Sequence, residues 1–142
     1  LLKRDNVVLI GARIANPWDE LFESRMNFAA KTENSVTSIV NRAPASGEQQ
    51  VYARTDSVGY CSVAFLPNPS SSGGVLLIEG TSAEATEAAG DFLLSEDQLS
   101  NFRNMLHVTR FPYFEVLLKT SRLSGTSFNA EILAYRTHPE LH

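Results

Sequence analysis

Val7-Val8-Leu9-Ile10-Gly11 and Val75-Leu76-Leu77-Ile78-Glu79-Gly80 are the two stretches on which the reading of this 142-residue chain turns. Each holds four consecutive apolar residues, closes on a glycine and runs into a helix-start signal. Runs this short and this apolar suit strands covered on both faces, as in the middle of an α/β sheet. If the two lie side by side and parallel, the loops after them open at the same carboxyl-end edge, where open α/β sheets hold ligands. The fold expected is therefore α/β and Rossmann-like. It would be a two- or three-layer mixed sheet with parallel core strands at 6–10 and 75–79, plus an added antiparallel meander and hairpin.

Working outward from the first run, Asn16 is a preferred N-cap, Pro17 fits the first helical position, and Asp19 and Glu20 complement the positive helix end. These predict a short helix ending near Arg25. From there to about residue 66 the texture changes to short, partly alternating runs at Met26–Ala30, Val36–Asn41, Gln50–Arg54 and Tyr60–Leu66, with turn formers between them. That pattern reads as an antiparallel meander. Pro67-Asn68-Pro69-Ser70-Ser71-Ser72-Gly73-Gly74 is loop chemistry throughout and predicts a mobile surface loop. Beyond the second run, Thr81-Ser82-Ala83-Glu84 has capping-box spacing and opens a helix over about 82–94, in which Ala85, Ala88 and Ala89 are small enough to let it approach a sheet closely. Ser95-Glu96-Asp97-Gln98 repeats the spacing for a following helix. Tyr113–Thr120 and Phe128–Tyr135 predict a closing hairpin around Ser124-Gly125-Thr126.

The candidate ligand contacts follow from the two junctions. Gly11 permits a sharp turn, Asn16 begins a helix whose first amides attract anions, and Arg13 could face a phosphate or carboxylate from inside the loop. At the second junction Gly80, Thr81 and Ser82 offer two hydroxyls and further helix-start amides. Plain helix capping is the simpler reading of each junction taken alone. Neither carries the G-x-G-x-x-G dinucleotide fingerprint or a P-loop lysine. Glu79 stands apart from the other acidic residues because it ends an apolar strand, where a carboxylate could bind a hydroxyl or act as a base. No catalytic residue is assigned. The three histidines, His107, His138 and His142, have no metal-ligand spacing, so no metal and no cofactor are expected.

Bulk properties narrow the classes. A length of 142 residues fits one domain with a substantial core, and 43% hydrophobic with 20% charged residues is ordinary for a globular protein. A net charge of −4 argues against direct nucleic-acid contact, and Arg103, His107 and Arg110 make only a thin basic cluster. The single cysteine, Cys61, excludes an intrachain disulfide, and its alternating surroundings suggest a buried strand thiol. No segment approaches the roughly 18 apolar residues of a membrane span, and no signal peptide opens the chain, so a cytoplasmic location without membrane contact is expected. With no initiator methionine before an early strand, residues 1–142 read as a single α/β domain excised from a longer chain. Phe111, Tyr113 and Phe114 around Pro112 form the densest aromatic cluster, suited to core packing or to a homodimer contact.

Asn6-Val-Val-Leu-Ile-Gly11, Ala15-Asn16-Pro17-Trp18, Glu20-Leu21-Phe22 and Met26-Asn27-Phe28 together resemble a block found in a bacterial family of regulator-like proteins. So do Asn41-Arg42-Ala43-Pro44, Gly47-Glu48, Leu66-Pro67-Asn68, Gly80-Thr81 and Ala85-Thr86-Glu87-Ala88. The resemblance implies a C-terminal α/β module that in some members follows a winged-helix or helix-turn-helix DNA-binding region. It carries no ligand and no catalytic residue with it. The function expected is a non-enzymatic ligand-sensing or effector domain of a transcriptional regulator-like protein. A small polar or anionic metabolite would bind at the carboxyl ends of the two parallel strands. The alternatives are an enzyme acting on a nucleotide or nucleoside, with Glu79 or Glu84 as its acidic group, and a purely structural dimerisation module.

Overall fold

The computed structural model describes residues 7–10, 26–67, 74–108, 112–122 and 128–138. Within them the chain forms eight strands and two helices: β1 (Val7–Ile10), β2 (Phe28–Glu33), β3 (Val36–Asn41), β4 (Val51–Ala53), β5 (Val58–Pro67), β6 (Gly74–Gly80), α1 (Ala83–Leu94), α2 (Glu96–Leu106), β7 (Phe114–Arg122) and β8 (Phe128–Thr137). They assemble into a five-stranded sheet of order β1-β6-β5-β7-β8 and a three-stranded sheet of order β2-β3-β4.

The two apolar runs are neighbours: β1 pairs with β6 in parallel, from Val7 opposite Val75 to Ile10 opposite Ile78. Every other pairing among the described residues is antiparallel: β6 with β5, β5 with β7, β7 with β8, and both pairings of the smaller sheet. The expectation of a Rossmann-like α/β fold with a parallel core is therefore overturned. The architecture is mainly antiparallel β with one helical pair. The physical reason lies in burial. β5, β6 and β7 have the two helices on one face and the smaller sheet on the other, and a strand buried on both faces reads as a continuous apolar run whichever way its neighbours point. The meander was also misjudged at its last member, since β5 leaves the small sheet and becomes the centre of the large one.

On the helix side, Cys61, Val63, Leu76, Ile78, Phe114, Val116 and Leu118 pack against Ala85, Ala89, Phe92 and Phe102. The helix alanines are fully or nearly buried, as a close helix-on-sheet approach requires. Phe102 lies edge-on to Phe114 at 5.2 Å between ring centres, and Phe114 also meets Phe65, so the aromatic segment serves the core. Phe111 lies outside the described residues. On the opposite side, Phe28, Ile39 and Tyr52 of the small sheet pack on Leu117 and Ala134, beside a second cluster of Met26, Ala64, Leu66, Val75 and Leu77.

Ser82 caps α1, one residue later than the capping-box spacing predicts, and Ser95 caps α2 as expected. The 113–120 and 128–135 runs do form an antiparallel pair, with a register shift where Leu117 and Leu118 face Ala134 and Ile132. The helix expected over 17–25 and the loop at 68–73 lie outside the described residues. No described helix is long and apolar enough to cross a membrane.

Candidate functional site

The parallel pairing brings Ile10 and Ile78 side by side, so the chain leaves β1 and β6 at the same edge of the sheet. Of the seven residues singled out in the sequence, Gly11, Arg13 and Asn16 lie outside the described residues. Glu79, Gly80, Thr81 and Ser82 are consecutive, at the end of β6 and the start of α1.

Glu79 is 3% exposed and sits opposite Ser62 of β5. Its charge is felt by Cys61: burial first, and then the Glu79 carboxylate, push that thiol well above the ordinary range. A buried and protonated Cys61 is a packing residue and not a nucleophile, as the sequence suggested. Gly80 is demanded by close approach, because a Cβ there would lie 2.9 Å from the Thr86 amide nitrogen and 3.0 Å from the Ser82 carbonyl oxygen.

Thr81 continues the sheet past the end of the strand. Its amide donates to the Tyr60 carbonyl at 2.9 Å, and the Tyr60 amide donates to its hydroxyl at 3.0 Å. The Ser82 hydroxyl accepts from the Ala85 amide at 3.1 Å, while its carbonyl accepts from the amide and the hydroxyl of Thr86. Both hydroxyls are thus oriented by a bond they accept, which leaves the proton of each to be donated elsewhere. Glu84, the other acidic candidate, is exposed on the first turn of α1.

A second polar constellation, which the sequence reading missed, joins the two sheets. Glu115 of β7 is fully buried, and its carboxylate accepts from the Asn27 amide at 2.7 and 2.9 Å, from the Phe28 amide at 2.9 Å and from His138 Nε2 at 2.7 Å. Around it, Asn27 Nδ2 donates to Asn41 Oδ1, and Asn41 Nδ2 donates to Glu48 Oε1. Arg136 makes a two-pronged pair with Glu48 at 2.6 and 3.1 Å, donates to the Ala43 carbonyl and lies 5.0 Å from the centre of the Phe28 ring. The Arg136 guanidinium, helped by Asn41 and the Ala45 amide, holds the Glu48 carboxyl down at about 2, and Glu48 in turn raises Arg136. The available signal was Glu115 itself, a charged residue set among Phe114, Val116, Leu117 and Leu118. Its carboxylate is filled by backbone amides, which makes the cluster a strut between layers.

A third feature was equally hidden. Thr120 of β7 is fully buried and its hydroxyl has no hydrogen-bond partner. Among the described residues no group of three His, Cys, Asp or Glu side chains could hold a metal ion. No protein-family model, curated protein or solved structure matches the chain.

Proposed function

We propose that the chain is a non-enzymatic ligand-sensing domain that takes a small polar or anionic molecule where β1 and β6 end. The observation that carries this reading is the in-register parallel pairing of Ile10 with Ile78, which ends both strands at one edge of the sheet. The Gly80-Thr81-Ser82 segment supports it with two oriented hydroxyls and the positive end of a 12-residue helix. Binding rather than turnover is favoured because the carboxylate–histidine pair of the described residues, Glu115 and His138, is committed to holding the start of β2.

The test is a thermal-shift screen against nucleotides, sugars and small carboxylic acids, followed by amide chemical-shift mapping of each hit. A ligand at 100-fold its dissociation constant adds about 2.7 kcal/mol. The expected hit moves amides in the 79–86 segment and is recovered chemically unchanged after incubation. A hit that moves only amides around Glu115 and Glu48 would place the site elsewhere, and conversion of the ligand would make the chain an enzyme.

A further inference from the structure

β8 closes the five-stranded sheet, and among the described residues no strand lies against its outer edge. Ten residues of open edge invite pairing with another strand unless something covers or blunts them. Two large apolar side chains left in solvent lie on this strand, Leu133 at 38% and Tyr135 at 37% exposed. The His138 amide donates to the Tyr113 carbonyl, so strand alternation turns the backbone groups of Tyr135 and Thr137 outward. The Tyr135 carbonyl accepts from Arg136 Nη1 at 2.8 Å, a side chain standing where a neighbouring strand would donate.

The strand is interrupted once. Leu117 and Leu118 face Ala134 and Ile132, which makes Leu133 an extra residue. Because of it, Glu131 and Arg136 share the small-sheet side, standing opposite Lys119 and Glu115, which lie four residues apart on β7. Ile132 and Tyr135 share the helix side, opposite Leu118 and Val116. A regular strand laid along this edge would lose its alternation at Leu133. A second β8, antiparallel about a twofold axis between Leu133 and Ala134, carries the same extra residue at the same place. In that register Glu131 faces Arg136 of the second copy and Ile132 faces its Tyr135, each pair occurring twice and on a common face. Opposite charges, and an aromatic with a β-branched side chain, are favourable cross-strand pairs. The alternation of β7 continues past the extra residue, so Ile132 also turns its backbone outward and can take over the Tyr135 carbonyl of the other copy.

We infer that, independently of any ligand at the strand ends, β8 is the interface of a homodimer in which two five-stranded sheets join edge to edge into one. The experiment is sedimentation velocity over a micromolar concentration series, with hydrogen exchange at both ends of the range. The parent is expected to pass from monomer to dimer, and the amides of Ile132, Tyr135 and Thr137 to gain protection as it does. Leu133→Lys sets two like charges at the axis and should weaken association at least about tenfold. The lysine stem can cover what leucine covers, so the dilute variant should melt within about 3 °C of the parent. Should that variant not fold, Glu131→Arg, at an exposed position, sets arginine against arginine and makes the same comparison. A chain that stays monomeric at the highest concentration overturns the proposal. So does a dimer that survives the substitution, or one whose Ile132 and Tyr135 amides exchange as fast as in the monomer, because its interface is then elsewhere.

Discussion

A carboxylate placed at the fully buried position 115 must be answered by its surroundings, since an ionised group in an apolar interior is otherwise too costly to keep. Here the answer comes from the backbone of a different sheet: the amides of Asn27 and Phe28, at the start of β2, donate to Glu115, with His138 closing the fourth contact. Replacing Glu115 by glutamine turns one acceptor into a donor that faces donors. The expected loss is about 2–4 kcal/mol, read as a drop in melting temperature of roughly 5–10 °C. An unchanged melting temperature would mean that the amides are satisfied by other acceptors. Glu79 invites comparison, being the one buried acid that the sequence flagged. It was legible because it ends an apolar run before a glycine. Glu115 was equally visible in the letters, yet its amide partners lie 87 and 88 residues away and His138 lies 23 away, and no local pattern announces them.

At the scale of elements, the β3–β4 connection is tied down by Glu48. Gly47 takes a positive φ of 85°, and Glu48 then turns back to accept from Asn41, the Ala45 amide and Arg136 of β8. Its folded carboxyl titrates at about 2 against an ordinary 4.5, so this group binds protons less readily folded than unfolded. Its contribution is thus complete above about pH 4.5 and fades as the pH falls towards 2; on the order of 2 kcal/mol is at stake, allowing for the partly exposed position. Melting curves of the parent and Glu48→Gln should differ at pH 6 and converge near pH 2, whereas a constant gap would show that the carboxylate charge is not what matters. Elements were the most legible level of this chain. The apolar runs, the Ser95 cap and the final strand pair all appear, and the first helix starts within one residue of its capping box, because each is set by neighbours within a few residues. Strand direction was not legible, since hydrophobic patterning records which faces are covered and is silent about orientation.

Across the whole molecule, three layers share one central sheet, and they are joined differently. The helices meet it through an apolar seam of Cys61, Val63, Phe102, Phe114 and their neighbours, while the small sheet meets it through Phe28, Ile39 and Tyr52 together with the Glu115 and Glu48 networks. Hydrogen exchange should therefore release the amides of β2 to β4 as a group before those of β5 to β7, and the interval should widen in Glu115→Gln. A single common rate for both sheets would show that the layers open together. The two helices, by contrast, have no slack between them. Ser95 ends α1, donating its amide to the Phe92 carbonyl, and the same residue begins α2, its hydroxyl accepting from the Gln98 amide. With one residue serving both termini, the two helices join without a linker, and a substitution at Ser95 acts on two helix ends at once.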